Sequence, residues 1–322
     1  MRREPILNAA LALLLLAAPL AAFVLDEPFY ISLTTRIVIL AIAAAGLNLA
    51  LGFGGLVSFG HAAFFGIGGY AAGILAAHAF NMEPLLGLPA TDLMPTIWIV
   101  AVLICAIVAL PIGAISLRTS GVYFIMITLA FAQMIYYFAI SWPAYNGEDG
   151  LSITVRNAFP GLNTANPLSF FLVCYLVLMA VLAVIWRLRD SRFGAALQAS
   201  RQNAVRVSAV GIRPFRIRLV AFILSAVITG IAGALFADLN RFVSPSMMSW
   251  QMSGELIVLV ILGGTGRLFG PVAGAILYVL LEFMLGGITE RWQFFLGFIL
   301  LGVVLFARGG IVGVIAGKVR HD

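Results

Sequence analysis

The chain alternates between long apolar runs and short polar connections. A bilayer core requires about 20 apolar residues per spanning helix, and ten runs approach that length. They cover residues 6–25, 33–52, 55–80, 96–117, 121–141, 166–186, 219–237, 250–264, 268–285 and 292–306. The run at 250–264 is short, and the run at 55–80 is interrupted by glycines, so each is a candidate for a broken or re-entrant segment. The pattern predicts an all-α integral membrane protein in which residues 1–322 form one transmembrane domain.

Composition agrees with a membrane protein. Of the 322 residues, 62% are hydrophobic and 10% are charged, whereas soluble domains carry about 25% charged residues. The net charge of +6 comes from basic residues at the ends of apolar runs, which excludes the even basic surface of a nucleic-acid-binding domain. Cys105 and Cys174 both lie inside apolar runs, and no metal-ligand spacing occurs. We interpret both cysteines as reduced packing residues and predict no metal site.

The distribution of Lys and Arg predicts the orientation. If the amino terminus is cytoplasmic, fifteen basic residues lie on the cytoplasmic side and four lie outside: Arg36, Arg156, Arg241 and Arg291. Cytoplasmic loops of membrane proteins carry such an excess, so we expect both termini in the cytoplasm. The first run also resembles a signal peptide. We interpret it as a retained helix, and cleavage would leave nine spans.

The longest connection on the opposite side covers residues 142–167. It contains the turn-forming pairs Asn146-Gly147 and Asp149-Gly150. Such pairs indicate defined turns, so we expect a folded loop rather than a loose one.

A strongly basic connection at residues 187–218 separates the sixth and seventh runs, and we call it the basic island. Within it, residues 193–210 contain no proline, and Gly211 and Pro214 supply a stop signal, so we predict one helix. Its small, mildly apolar face consists of Ala196, Leu197, Ser200, Ala204, Val207, Ser208 and Gly211. Such a face predicts docking into a groove on another protein. The alternative is an orientation signal that lies on anionic lipid.

Two glycine-rich segments share the spacing G-x4-F-G, at residues 54–60 and 264–270, which is compatible with an internal repeat. Glycines allow membrane helices to approach closely, and broken helices occur at membrane depth where protein or water satisfies the backbone. We therefore expect the segments to line a translocation path and a subunit contact, with plain tight packing as the alternative. The glycines concerned are Gly54, Gly55, Gly60, Gly263, Gly264 and Gly270.

Isolated polar residues within apolar runs are candidates for the path, because polar groups are costly in a bilayer. The candidates are Asn48, Ser58, His61, Gln133 and Glu255, with Glu282 near the end of a run. The pattern contains no cluster of catalytic groups, so we predict no catalytic residues. No G-x-x-x-x-G-K-[ST] phosphate loop occurs, so any ATP hydrolysis must take place on another subunit.

Four blocks together resemble one family: "GLNLALGFGGLVSFGHAAFFGIGGYAAGIL" (46–75), "RTSGVYFIMITLAFAQMIYYFA" (118–139), "ALQASRQNAVRVSAVGI" (196–212) and "ELIVLVILGGTGRLFGPVAGAIL" (255–277). The chain is similar to the permeases of branched-chain amino acid ABC transporters, in particular to their LivM-like branch.

The resemblance implies that the basic island carries the coupling helix of an ABC importer. It also implies a LivH-like permease, two cytoplasmic ATPase subunits that hold ATP and Mg²⁺, and an extracytoplasmic substrate-binding protein as partners, in the bacterial inner membrane. It implies no cofactor on this chain and no nucleic-acid partner. One departure is that Gln202 and Asn203 are amides where the family usually has an acidic residue.

Two other functions fit the residues. A urea or short-amide permease of the same family is the near alternative. A proton-coupled secondary carrier that uses Glu255, Glu282 and His61 is the more distant one, and it would leave the docking helix without a function.

Overall fold

The computed structural model describes residues 3–84, 90–288, 291–306 and 309–316. Its helices are α1 (Arg3–Val24), α2 (Pro28–Asn48), α3 (His61–Phe80), α4 (Met94–Ser116), α5 (Val122–Ile140), α6 (Pro167–Arg189), α7 (Arg192–Gln202), α8 (Ala204–Ala209), α9 (Pro214–Asn240), α10 (Trp250–Gly263), α11 (Gly270–Gly286), α12 (Trp292–Phe306) and α13 (Gly310–Ala316). Two short strands, β1 (Leu151–Ser152) and β2 (Phe242–Val243), pair antiparallel.

The predicted fold class is confirmed. Among the described residues, seven helices are long and apolar enough to cross a membrane, and three shorter apolar helices follow them. Each of the ten predicted runs overlaps one of these helices. The protein is therefore an all-α, multi-pass membrane protein. We call the side that carries α7 and α8 the island face, and the side that carries residues 142–167 the loop face.

The centre of the protein is built on α9, which packs against α2, α3 and α4. Glycines allow α3 and α9 to approach until their backbones touch. A Cβ atom on Gly68 would collide with the carbonyl of Gly230, and one on Gly233 would collide with the carbonyl of Phe65. Such contacts between small residues hold membrane helices together, because close packing replaces the missing hydrophobic driving force.

The glycine-rich run after α2 is broken, as predicted. A π-helical turn over Leu49–Phe53 ends α2 on the island face, and residues 54–60 then run back into the protein without helical structure. The next helix, α3, begins at His61, which bonds Ser225 of α9. Ser225 lies about 16 Å along a helix that is about 40 Å long. The first residues of α3 therefore lie near the middle of the membrane-spanning layer.

The short run that forms α10 is also preceded by a segment that is not α-helical, which enters from the loop face instead of the island face. After α9 ends on the loop face, residues 241–249 fold back along α3, so that Val243 lies against Gly73 and Met248 against Gly66. Only then does α10 begin, and its 14 residues extend about 21 Å. That length is less than the hydrocarbon thickness of about 30 Å, so the descending segment and α10 together make one crossing.

The connection at residues 142–167 is folded, as predicted. It contributes β1 to the strand pair with β2, and Asn157 donates to buried Asp238 at 2.7 Å. The guanidinium of Arg156 lies 4.3 Å from the ring centre of Phe170 and donates to two backbone carbonyls. Burial lowers the pKa of Arg156. The loop is thus clamped to the end of α9.

Arg36 lies within a helix and not in a connection, contrary to the predicted distribution of basic residues. Arg36 does not lie in an outer connection, because it is the ninth residue of α2 and pairs with Glu282 of α11. The apolar residues on both sides of Arg36 continue the helix, and the salt bridge satisfies the charge within the protein. Three basic residues, not four, remain in connections on the loop face: Arg156, Arg241 and Arg291.

Candidate translocation site and docking surface

The first turns of α3 and α10 meet near the middle of the membrane-spanning layer. The hydroxyl of Ser253, on the first turn of α10, donates to the carbonyl of Phe59 at 2.6 Å. It also accepts from the backbone N–H of Ala62 at 3.2 Å. One side chain therefore joins the entrances of the two broken helices. Ser253 was not among the candidates selected from the sequence, although this serine also lies within an apolar run.

The non-helical segment before α3 is held by hydroxyl groups. Thr128 of α5 accepts from the N–H of Phe59 at 3.2 Å, and Ser58 accepts from the N–H of Gly60 at 3.1 Å. Both hydroxyl residues are fully buried. Irregular backbone survives at membrane depth only if its polar groups find partners, and these two hydroxyl groups supply them. Ser58, one of the residues selected from the sequence, thus stabilises this segment. Thr128 was not selected from the sequence.

His61 joins three helices. Ser225 of α9 donates its only hydroxyl hydrogen to the carbonyl of Gly46 at 2.6 Å, so it can only accept from Nε2 of His61 at 2.7 Å. The imidazole therefore carries its hydrogen on Nε2. Phe64 and Phe222 present T-shaped contacts to the ring, and His61 is fully buried. It holds the entrance of α3 against α2 and α9 and does not face open space.

Asn48 joins the end of α2 to the turn that precedes α11. Its Nδ2 donates to the carbonyl of Arg267, and its Oδ1 accepts from the N–H of Gly266, both at 2.9 Å. The residue is buried and both ends of its amide are occupied. Asn48 therefore ties the end of α2 to the turn between α10 and α11.

The two remaining candidates lie apart from each other. Gln133 is on α5, five residues beyond Thr128, which is about 7.5 Å further along the helix. Its Nε2 is buried without a partner among the described residues. Glu255 faces α2 and α11 instead, where Arg36 and Glu282 lie close enough to act on its charge. The polar set predicted for one path thus divides between separate sites.

The glycines of both segments lie at turns or close contacts. Gly55 and Gly264 adopt positive φ angles of 69° and 118°, and the carbonyl of Gly270 lies where a Cβ of Gly263 would be. The residues Gly54 and Gly60 border the non-helical segment. Each G-x4-F-G segment ends one helix and starts the next, and the two approach each other where Gly52 meets Gly266.

The basic island forms two helices, not the single helix predicted for residues 193–210. Asn203 is extended, with φ −155° and ψ 100°, and its side chain accepts from the N–H of Arg206 at 3.0 Å. Asparagine is among the best residues for starting a helix in this way. The hydrogen bond ends α7 and begins α8, so the change of direction at Asn203 has a local cause.

The predicted outward face of the island is wrong for three residues. Leu197, Ser200 and Val207 are 1%, 0% and 6% exposed, respectively, because the helices lie against the protein itself. Leu197 is beside Gly54. Arg201 donates to the carbonyl of Gly52, and Arg218 donates to the carbonyl of Ser200 at 2.5 Å.

The other members of that face are less buried, and the exposed surface of the island lies elsewhere. Ala196 and Ala204 are half-buried, while Ser208 and Gly211 are exposed. The most exposed apolar side chains of the island are Val205 and Val210, each 78% exposed. A small apolar face fits a protein's own core as well as a partner's groove, so the pattern alone could not assign it.

Comparison with known proteins places the chain in a family. The family described as "Branched-chain amino acid transport system / permease component" matches residues 29–304. The high-affinity branched-chain amino acid transport system permease protein LivM of Escherichia coli is 27% identical over 88% of this chain and 71% of its own. LivM of Salmonella typhimurium is 26% identical over the same shares.

The family also contains permeases for other cargo. The autoinducer 2 import system permease protein LsrC of Yersinia pseudotuberculosis is 29% identical over 41% of this chain and 40% of its own. No solved structure matches the chain. Since the family match covers most of the membrane-spanning helices, this chain belongs to the family of branched-chain amino acid transport system permease components.

Proposed function

We propose that the protein is the LivM-like permease subunit of an ATP-driven importer for branched-chain amino acids. The observation that carries the proposal is the similarity to LivM over 88% of the chain, together with two broken helices whose entrances meet at mid-depth. Its partners are a second, LivH-like permease, two cytoplasmic ATPase subunits and an extracytoplasmic binding protein. ATP and Mg²⁺ bind to the ATPases.

The translocation path runs beside the junction of α3 and α10. Broken helices with inward-pointing N-termini hold anionic substrate groups in other transporters, because a helix N-terminus carries a partial positive charge. At α10 the first two residues, Trp250 and Gln251, are exposed. An amino acid therefore passes with its carboxylate near this helix end, between this chain and the second permease.

The basic island couples the path to the ATPases. The exposed side of α7 and α8, with Val205 and Val210, contacts the ATPase. The buried side is bonded to Gly52 through Arg201, and the chain runs from Gly52 directly into the non-helical segment before α3. A displacement of the island by the ATPases is therefore transmitted to the entrance of α3 over a short stretch of backbone.

We expect the island face to be cytoplasmic. A cysteine at Ala209, which is exposed in the island, should react with a membrane-impermeant maleimide only after the cells are opened. A cysteine at Ala144, exposed on the loop face, should react in intact cells. The native Cys105 and Cys174 are fully buried, so the unmodified chain is the control for background labelling. Reaction of Ala209→Cys in intact cells would reverse the proposed orientation.

Uptake by the reconstituted complex tests the function. Proteoliposomes that contain both permeases and the ATPases, with the binding protein added outside, should accumulate labelled leucine only when hydrolysable ATP is enclosed. Unlabelled isoleucine and valine should compete, whereas urea should not. Uptake driven by a proton gradient without ATP would contradict the proposal. Competition by urea alone would instead indicate a urea or short-amide permease of the same family.

A further inference from the structure

Four polar side chains from three helices lie together away from the α3–α10 junction. Arg36 of α2 donates through Nη2 to both carboxylate oxygens of Glu282 of α11, each at 2.9 Å. Glu255 of α10 lies within electrostatic reach of this pair and close to Tyr278 of α11. The proposed function makes no use of this group.

Charged residues within membrane-spanning segments are candidates for functional sites by default. Arg36 and Glu282 lie in α2 and α11, and ionisable residues within membrane-spanning segments are costly. The pair is therefore a candidate for ligand binding.

A cavity of about 540 Å³ surrounds the Arg36–Glu282 pair, within the range of about 300–1,000 Å³ that small-molecule sites occupy. Its walls include the apolar side chains of Leu33, Val279 and Phe283. The side chains of Arg36 and Glu282 remain 34% and 20% exposed, so the pair is accessible. The cavity lies at the loop-face ends of α2 and α11, and the start of α12 adds Trp292 to its lining.

The Arg36–Glu282 pair retains unused hydrogen-bond donors and acceptors. A guanidinium has five N–H donors, and Arg36 uses only Nη2, so its Nη1 and Nε have no bonded partner in the described parts of the chain. A carboxylate offers about four acceptor positions, of which Glu282 uses two. The cavity therefore presents unused donors for an anionic group next to unused acceptors for a cation.

We propose that this cavity binds a zwitterion in which a primary ammonium and an anionic oxygen group are joined to an apolar chain. The anionic group bonds the free N–H groups of Arg36, and the ammonium bonds Glu282, with Glu255 behind it. The apolar chain lies against Leu33, Val279 and Phe283. Phosphatidylethanolamine and a free apolar amino acid share this chemistry. The site is separate from the proposed path and does not depend on it.

Native mass spectrometry of the complex of both permeases tests the proposal and separates the two sources. The complex is placed in nanodiscs of equal parts phosphatidylethanolamine, phosphatidylcholine and phosphatidylglycerol, with or without leucine, and then released. Retention of phosphatidylethanolamine about tenfold above phosphatidylcholine, the ratio that one charge-assisted hydrogen bond supports, would identify a lipid. Choline cannot donate the hydrogen bonds that Glu282 accepts. A leucine adduct that leucinamide cannot form would identify an amino acid instead.

The double variant Arg36→Gln with Glu282→Gln removes both charges without leaving either one unpaired. It should lose the preference for phosphatidylethanolamine or the leucine adduct. The matched control is Arg189→Gln with Asp190→Asn, which removes a salt bridge on the island face and should keep the preference. Equal retention of the three lipids by the wild type without a leucine adduct would overturn the proposal. A preference that survives in the double variant would also overturn it.

Discussion

Replacing Gly68 by alanine is expected to destabilise the protein by up to about 3 kcal/mol, the upper range for overpacking. The added methyl group would collide with the carbonyl of Gly230, and neither of the two helix backbones can move without separating α3 from α9. Thermal unfolding of the purified protein in detergent should show a lower midpoint, and transport should fall with it because the α3 entrance depends on the same contact.

The matched control is Gly297→Ala in α12, where nothing lies within 4 Å of the added Cβ atom. Alanine is favoured over glycine inside a helix by about 0.5–1 kcal/mol, so this variant should be as stable as the wild type or slightly more stable. If Gly68→Ala unfolds at the same temperature as Gly297→Ala, then α3 and α9 do not meet at Gly68 as described.

Aspartate at Val207 should impair folding, whereas aspartate at Val205 should impair coupling to the ATPase. Val207 is 6% exposed and Val205 is 78% exposed, although only Arg206 separates them. An isolated carboxylate is expensive to bury, so Val207→Asp should accumulate poorly in the membrane. Val205→Asp should accumulate normally and lose most of the transport-stimulated ATP hydrolysis, because the proposed ATPase contact uses the exposed side.

Membrane accumulation and ATPase activity of the assembled complex measure the two effects separately. Val207→Ala provides the control for loss of bulk alone. Wild-type accumulation of Val207→Asp would contradict the inward position of that side chain. Full ATP hydrolysis and normal co-purification of the ATPase with Val205→Asp would instead rule out docking on the exposed side of α8.

The helices of the basic island could be predicted from the sequence, but the direction of their apolar face could not. Its basic charge, helix-forming composition and stop signal are local properties, and they correctly indicated helical structure between two spans. The direction of its small apolar face is not local, since it depends on whether the chain's own surface offers a matching groove. The chain offers such a surface at Gly54, against which Leu197 packs, so the face turns inward.

The intramembrane polar residues show the same limit. Because polar residues are costly in a bilayer, each one can be identified from the sequence as a functional candidate. The sequence does not show which residue each one contacts. Arg36 and Glu282 are 246 positions apart, and Ser253 reaches Phe59 across 194 positions. Grouping Asn48 with Glu255 followed from their chemistry, whereas the fold places them at separate sites.

The amino-acid sequence by itself determined the membrane class, the ten apolar segments and the two that are broken, because segment length, hydropathy and glycine content act over neighbouring residues. It also determined that the residues before α6 fold as a defined loop, since turn-forming pairs act locally. Only the tertiary structure decided that the broken helices meet at Ser253, that Arg36 pairs inside the membrane and that the island presents Val205 rather than Val207. These features depend on which distant backbones approach each other, and that approach is set by glycine contacts and by polar groups that must be satisfied within the protein.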